Sequence, residues 1–395
     1  MTDLPEGWRE VALGALTKIK YGKSLDKSLR DDSGQFPVVG SAGVMTMTNE
    51  PLISEPCVIV GRKGNVGAVQ YFPNGCHPID TVYYFVAPES IEANFLNLSL
   101  ESKKLKDLDS STAIPSLRRE DLEGVLLLVP PLAEQERIVE ILEEQFSRLD
   151  SALASVKAVR EKAKAFRRSL LHSAFSGELT GGTEGWREVA LGELLEVLID
   201  HRGKTPKKLG GDFTDSGVRV ISAIHIKQGK VKFDERDRFV TEEMFLRWMP
   251  EKVLKGDVLL TSEAPLGSVA EVISDEPLVL SQRLFCLRAD GKQLTNRFLA
   301  LFLTSPEGQL GLRGRSSGTT VTGIRQSELV CMVTPVPPLS TQERIVSLLE
   351  EQFSRLDKAL EVANQLEARI ASEHRSLLHS AFTGALTATW RQNND

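Results

Sequence analysis

The chain has 395 residues, of which 41% are hydrophobic and 26% charged, a composition typical of folded protein and a length that favours two or more domains. The formal net charge of −6 does not indicate a protein that binds nucleic acid through overall basicity. The composition also excludes collagen-like and low-complexity chains. No apolar run approaches the roughly 18 residues that a membrane span needs. The opening MTDLPEGWRE predicts no secretory leader.

The first block of the chain alternates short apolar runs with turns. It follows EGWREVALG at 6–14, a sequence that recurs unchanged at 184–192. Runs at 56–60, 82–86 and 125–129 predict strands. Basic residues fall in loops with glycine or serine, where Lys and backbone N–H groups can bind phosphates and Arg or Asn can read base edges. The candidate DNA-binding residues here are Lys23, Arg62, Lys63, Asn65, Lys103, Lys104, Ser116, Arg118 and Arg119.

A long helix is predicted from 131. Pro130-Pro131 suits a helix start, and Glu134 and Glu136 place negative charge at the positive end of the helix dipole. Apolar residues recur every seven positions for over four repeats, which indicates a coiled-coil seam of about 45 residues ending near Gly177. The seam residues are Leu142, Leu149, Val156, Ala163 and Leu170, with Ile138, Ala152, Val159 and Phe166 at the second position.

The second block, 193–336, has the same character. Strands are predicted at 218–221, 258–260, 269–273 and 284–287, and a Thr-capped helix at 241–248. Loops 202–208, 261–267 and 313–317 are the expected DNA-binding segments, as are loops 61–65 and 116–119 of the first block. Its candidate residues are Arg202, Lys204, Lys207, Lys208, Ser262, Arg283, Arg313, Arg315, Ser316, Arg325 and Gln326. Any one such loop, taken alone, is more often a solvated turn.

The helix itself is repeated. Residues 130–153 and 337–360 are identical at 19 of 24 positions, and the second copy carries the same seam up to Gly384. Two such helices related by a two-fold axis would pair antiparallel, and the closing Trp390-Arg391, which echoes Trp8-Arg9, predicts a C-terminus packed near the N-terminus in a quasi-circular arrangement. Polar helix residues that recur in both copies are interpreted as two partner-docking surfaces. They are Gln135, Glu136, Arg137, Glu144 and Arg148, and Gln342, Glu343, Arg344, Glu351 and Arg355.

Motifs for catalysis are missing. The sequence contains no GxxxxGK[ST], no [ND]PP[YF], no Pro-Asp dipeptide and no HExxH, and its four cysteines lack CxxC spacing. A non-catalytic chain without catalytic or metal-binding residues is therefore expected, in the reducing cytoplasm and without a membrane partner.

The whole chain resembles the specificity subunit of type I restriction–modification systems (HsdS). The markers are the WxxVxLG openings, the helix starts PPLAEQERIV and PPLSTQERIV, SLLHSAFSGELT with its second copy, and RGKTP, GDVLLT and LSQR in the second block. The resemblance implies two mixed α+β target recognition domains, at 1–129 and 184–336, each reading half of a bipartite asymmetric site in double-stranded DNA. Long helices at 130–183 and 337–395 would set the spacer.

The resemblance also implies partners. Two methyltransferase subunits for N6-adenine methylation would dock on the helices, and two motor–nuclease subunits would complete a restriction form. Adenosylmethionine, ATP and Mg²⁺ would then belong to those partners, with no cofactor in this chain. A subunit that serves methylation only, and a coiled-coil adaptor that binds no DNA, remain the alternatives.

Overall fold

The computed structural model describes residues 4–109, 115–227, 229–233, 237–318 and 322–394. The chain forms two compact units, one made of residues 1–157 and 364–395 and the other of residues 158–363. Each unit therefore contains one of the two blocks together with parts of both long helices.

The described residues of the first block form nine strands and three short α-helices before the first long helix. In chain order they are β1 (Arg9–Ala12), α1 (Leu13–Leu16), β2 (Lys20–Tyr21), β3 (Phe36–Gly40), β4 (Gly43–Thr48), β5 (Cys57–Gly61), β6 (Val69–Phe72), β7 (His77–Pro78), β8 (Val82–Val86), α2 (Ala93–Glu101), α3 (Arg119–Glu123), β9 (Leu126–Val129) and α4 (Leu132–Phe175).

A four-stranded antiparallel sheet in the order β2-β8-β5-β6 carries the core of the first unit. All five residues of β5 are buried, because the sheet is covered on both faces. Val58, opposite Phe85, faces a core shared with α2, while Ile59 faces a smaller cluster around Cys57 and Cys76. A second sheet has the order β4-β3-β7, and β1 pairs with β9.

The second block repeats this plan with insertions. Its elements are β10 (Arg187–Ala190), β11 (Leu195–Asp200), β12 (Val218–Ile221), β13 (Ile226–Lys227), β14 (Lys230–Val231), β15 (Arg238–Val240), α5 (Glu242–Trp248), β16 (Val258–Thr261), β17 (Val269–Glu271), β18 (Leu278–Leu280), β19 (Leu284–Ala289), α6 (Asn296–Thr304), α7 (Pro306–Gly314), α8 (Gln326–Val330), β20 (Val333–Val336), α9 (Leu339–Phe382) and α10 (Ala388–Gln392).

The order β11-β19-β16-β17 of its main sheet matches the order in the first unit. The mixed α+β class is confirmed, and so are the predicted strands, with ends shifted by up to two residues. The Thr cap is also confirmed, because the side chain of Thr241 accepts a hydrogen bond from the backbone N–H of Met244 at the start of α5.

Both long helices have 44 residues, about 65 Å at 1.5 Å per residue. Gly177 and Gly384 follow their ends with φ of +86° and +79°, the left-handed conformation that glycine adopts without strain. The prediction of two long helices ending at these glycines is confirmed.

Antiparallel pairing of the helices is visible inside each unit. In the first, Ile138 and Leu142 of α4 share a core with Leu378 and Phe382 of α9. In the second, Ile345 and Leu349 of α9 share a core with residues near the end of α4. In both cases the start of one helix lies beside the end of the other.

The predicted seam is only partly correct. Its first position is largely buried, as at Leu142 and Val156. At the second position Val159, Phe166 and Leu366 are 43%, 49% and 43% exposed, which contradicts the expectation. The repeat is therefore buried along one of its two rows and exposed along part of the other.

Candidate nucleic-acid interface

Three strand ends meet at one end of the main sheet in the first unit. Because neighbouring strands are antiparallel, the end of β5, the start of β8 and the end of β2 lie side by side at the same end of the sheet. The N–H of Gly22, after β2, donates to the carbonyl of Val82 at 3.1 Å, and the N–H of Arg62, after β5, donates to Thr81 at 3.0 Å. The structure thus brings loop 61–65 and the Lys23 segment together.

Loop 116–119 joins the same end of the sheet. Lys63 and Ser116 form an antiparallel bridge, and the N–H of Leu117 donates to the carbonyl of Arg62 at 2.9 Å. Gly67 closes the loop at φ +74°, where a Cβ atom would lie 2.7 Å from the backbone of Leu105. Only glycine fits this close approach. Two loops that the sequence separates by about fifty residues therefore form one surface.

Arg62 is held in place on this surface. Its guanidinium lies 5.3 Å from the ring of Tyr21 and 6.0 Å from that of Tyr83, and Nη2 donates to the carbonyl of Asp80 at 2.9 Å. Among the described residues its buried Nε has no hydrogen-bond partner. An arginine held beside aromatic rings presents its remaining guanidinium donors in a fixed direction, which suits contact with a base edge or a phosphate.

The second unit builds the same loop frame. The N–H of Ile324 donates to the carbonyl of Ser262 at 2.9 Å, and Glu263 forms a bridge with Gly323. The N–H of Gly267 donates to Thr261 at 3.0 Å, as that of Gly67 donates to Gly61 at 2.9 Å. The backbone hydrogen bonds of the two loop clusters are thus equivalent.

The side chains on the two frames differ. Ser262 and Glu263 occupy the positions of Arg62 and Lys63. Near the start of β19, the guanidinium of Arg202 lies 5.1 Å from the ring of Phe285, as that of Arg62 lies near the ring of Tyr83 in β8. Nε of Arg202 also donates to Oδ2 of Asp200 at 2.8 Å. One frame therefore presents two different sets of charges and hydrogen-bond donors.

The other candidates of the first unit divide into two groups. Lys23, Lys63, Asn65 and Arg118 are exposed and Ser116 is partly exposed, all on the shared loop surface, whereas Arg119 pairs with Glu123 at 2.7 Å on its own helix. Lys103 and Lys104 lie after α2. Burial lowers the pKa of Lys103, and the negative charge of Glu10 in β1 opposes this shift.

Ser262 is a correction in the second unit. It is 2% exposed, so the expectation of a DNA-facing hydroxyl is wrong; its backbone is used to pair the loops, which draws the side chain inward. Arg283 pairs with Glu263 at 2.9 Å and Arg315 with Glu328 at 3.8 Å. The remaining candidates are exposed or partly exposed on loops and helix ends: Lys204, Lys207, Lys208, Arg313, Ser316, Arg325 and Gln326.

Tyr21 is the residue of this surface that the sequence reasoning missed. Its side chain is 48% exposed, and its ring centre lies 5.0 Å from that of Tyr83 and 5.3 Å from the Arg62 guanidinium. An exposed tyrosine immediately before Gly22-Lys23 was the available signal, since aromatic faces on a nucleic-acid surface can stack with arginine.

Comparison with known proteins identifies this arrangement. The model of the type I restriction modification DNA specificity domain matches residues 5–156 and 183–371. The chain belongs to the type I restriction–modification DNA specificity family.

Several curated relatives of the family are similar along most of their length. The specificity subunit of the StySPI enzyme of Salmonella potsdam is 25% identical over 440 residues, covering 99% of this chain and 92% of the relative. That of EcoKI from Escherichia coli K12 is 24% identical over 437 residues, with the same coverage. That of EcoBI from Escherichia coli is 27% identical over 334 residues, covering 79% of this chain and 67% of the relative. All three relatives are specificity subunits of type I restriction enzymes.

Solved structures share the fold. A chain from a type I R-M system, solved to explain complex assembly and conformational transition, superposes with a TM-score of 0.75 at 20% identity, covering 98% of this chain and all of that one. The HsdS subunit from Thermoanaerobacter tengcongensis gives a TM-score of 0.53 at 19% identity, covering 97% of this chain and 98% of that one.

The helix residues expected to dock partners include two that are buried. Gln135 and Gln342 are 1% and 0% exposed, so the expectation that they lie on solvated surfaces is wrong. Oε1 of Gln135 accepts from the N–H of Glu92, and that of Gln342 accepts from the N–H of Thr295, which are the residues that cap α2 and α6. Each Nε2 donates to the carbonyl of a proline that precedes its long helix.

The other repeated helix residues lie at or near the surface. Glu144 pairs with Arg148, and Glu351 pairs with Arg355, one helical turn apart in each copy. Glu136, Arg137, Glu343 and Arg344 are exposed or partly exposed. The recurrence of the two glutamines follows from their hydrogen bonds. The repeated Glu–Arg pairs keep an exposed ion pair in each copy, so the two long helices present matching charged residues.

In the described part of the chain, no group of three or more His, Cys, Asp and Glu side chains is arranged to hold a metal ion. In the same residues, no helix is long and apolar enough to cross a membrane.

Proposed function

We propose that this chain selects the DNA sequence on which a type I complex acts. Each unit would read one half of a split, asymmetric site through the loops at the end of its main sheet, and the long helices would fix the length of the unread spacer. Family membership supports the general role, and the loop surfaces support the division into half-sites.

One observation carries the proposal. The backbone frame of loops 62–67 and 115–117 recurs at 262–267 and 322–324, while Arg62 and Lys63 are replaced by Ser262 and Glu263. Ser262 is buried, so the difference at the surface of the two frames is that the cation of Lys63 is replaced by the carboxylate of Glu263. Different side chains on a common frame are expected if each frame reads a different base sequence.

The repeated helix surfaces support docking of two methyltransferase subunits, each placed over an adenine for N6 methylation, and of two motor–nuclease subunits in a restriction form. Those partners would carry adenosylmethionine, ATP and Mg²⁺. Flipping of the target base would also be the task of the methyltransferase. A complex with methyltransferase alone is the alternative within this function.

The adaptor alternative differs in its response to salt. Phosphate contacts release counterions, so the logarithm of DNA affinity falls linearly with the logarithm of salt concentration. We would measure binding of the chain, with its cognate methyltransferase, to a pool of random duplexes between 50 and 200 mM salt. A steep fall supports the proposal, whereas no salt-sensitive binding supports the adaptor.

A further inference from the structure

A groove between α2 and α4 in the first unit has no role in the interface above. This α2–α4 groove has a volume of about 520 Å³. The residues that line it include Asn94, Leu98, Glu143, Phe146, Asp150 and Ala154. Leu98, Phe146 and Ala154 give it an apolar floor, and Glu143 and Asp150 place two exposed carboxylates beside it.

The carboxylates of the groove have no cation of their own. Oε1 of Glu143 accepts a hydrogen bond of 2.8 Å from the amide of Asn94. Within the described ranges, neither Glu143 nor Asp150 forms an ion pair. Two negative charges beside an apolar floor form a site that favours a cation, and a flat guanidinium can donate two parallel N–H groups to a carboxylate.

The equivalent place in the second unit shows what such a site holds. Arg297 occupies the position of Asn94, and its Nε lies 2.7 Å from Glu350, the counterpart of Glu143. Arg167 lies 4.2 Å from the ring of Phe353, the counterpart of Phe146, and 3.3 Å from Asp357, the counterpart of Asp150. Both acids of the second unit are thus paired with arginines of the chain itself.

The first unit lacks both arginines. Asn94 replaces the first, and the second is replaced by His374, whose ring stacks on Phe146 with centres 4.1 Å apart. Ser151 and Ala154 also stand where the second copy of the helix has Lys358 and Glu361. Smaller side chains at these positions leave room that longer ones occupy in the second copy.

We propose that the α2–α4 groove binds an arginine side chain of a partner methyltransferase subunit. This rests on the proposed function for the identity of the partner, and on the arginines of the second unit for the chemistry. The two halves of the chain would then dock their partners differently, with an arginine from outside in the first half and arginines of the chain in the second.

A double variant tests the groove directly. Asn94→Arg with His374→Arg installs in the first unit the two arginines of the second, so the fold is expected to be kept while the groove is filled. The probe is N-acetyl-arginine methylamide, followed by NMR of the methyl groups of Leu98 and Ala154, with the lysine analogue for comparison. Saturable shifts with the arginine probe alone, lost in the double variant, are expected.

Affinity for the cognate methyltransferase gives the second readout. Loss of a charge-assisted pair corresponds to a roughly 10- to 100-fold weaker complex. We expect this loss for the double variant. We also expect it for Glu143→Gln combined with Asp150→Asn, which removes the two charges without adding bulk to the groove. Glu161→Gln, on an exposed residue outside the groove, is the control and should bind as the wild type does.

The two proposals fail separately. Equal binding by wild type and both groove variants, or equal shifts with lysine and arginine probes, would overturn the groove proposal and leave the proposed function standing. Failure of the wild-type chain to bind the methyltransferase would count against the proposed function, while the probe shifts still decide whether the groove takes arginine.

Discussion

The indole Nε1 of Trp8 donates a hydrogen bond of 3.0 Å to Oε2 of Glu134, which links the start of the first block to the start of the long helix. The other carboxylate oxygen of Glu134 pairs with Arg391 and accepts from Thr387. Arg391 lies 5.7 Å from the Trp8 ring. The predicted packing of the C-terminus near the N-terminus is confirmed inside the first unit.

Glu134→Ala is expected to lower the free energy of unfolding of the first unit by about 3–5 kcal/mol, because it leaves the largely buried charge of Arg391 without a carboxylate partner. The Glu134 side chain is 2% exposed and that of Arg391 is 15% exposed. Urea unfolding followed by tryptophan fluorescence measures the change, since Trp8 and Trp390 lie at this corner.

Glu136→Ala is the matched control, two residues along the same helix but exposed. A surface change of this kind is expected to stay within about 0.5 kcal/mol of the wild type. Equal losses for the two variants would show that the Glu134 cluster contributes nothing special to stability.

The buried glutamines give a paired prediction. Gln135→Ala removes the hydrogen-bond acceptor for the N–H of Glu92, and Gln342→Ala removes the acceptor for the N–H of Thr295. Each variant is expected to lower the free energy of unfolding by about 1–3 kcal/mol. Hydrogen exchange should rise at the Glu92 amide in the first variant and at the Thr295 amide in the second. Faster exchange at both amides in either variant would contradict two independent caps.

Arg118 and Arg325 occupy equivalent positions before α3 and α8. Arg118→Ala should weaken or relax recognition of one half-site by about 1–3 kcal/mol, Arg325→Ala should do so for the other, and Arg62→Ala should behave like Arg118→Ala. Binding to duplexes altered in one half at a time measures this. Equal loss at both halves from a single variant would refute modular reading.

His201 predicts a pH dependence for the second unit. Burial lowers its pKa below the ordinary 6.5, and the positive charge of Lys204 lowers it further. As pH falls below about 6.5, this histidine becomes protonated in the unfolded chain but stays neutral in the folded chain. The free energy of unfolding therefore falls by up to about 1.4 kcal/mol per pH unit.

His201→Asn keeps a neutral donor near the carbonyl of Leu280, which Nδ1 approaches at 3.2 Å, but cannot be protonated. Thermal unfolding at pH 7.5 and 5.5 should therefore separate the two proteins, with the smaller loss in the variant. The same loss in both would assign the pH dependence to other groups.

The sequence predicted those parts of the fold that depend on local pattern. The long helices, their terminal glycines and the Thr241 cap follow from periodicity and capping within a few residues of the chain. The strands β2, β3, β4 and β7 were missed, because β2 and β7 have only two residues and because Gly, Pro or Thr interrupts the apolar run in β3 and β4.

The errors concern residues whose partners are distant in sequence. Gln135 was expected in solvent because nothing near it in the chain shows that the N–H of Glu92, 43 residues away, needs an acceptor. Ser262 was expected at the surface because its loop is polar, although its backbone pairs with Ile324. The sequence indicated loops 61–65 and 116–119 as separate DNA-binding segments. It could not show that the two loops pair and form one surface.

Long-read methylation mapping tests the central claim most directly, using DNA from cells that express this chain with its cognate methyltransferase subunit. The expected result is one split, asymmetric motif with an N6-methyladenine in each half, on opposite strands. A soluble complex that leaves no methylated motif would contradict the proposed function and favour the adaptor alternative.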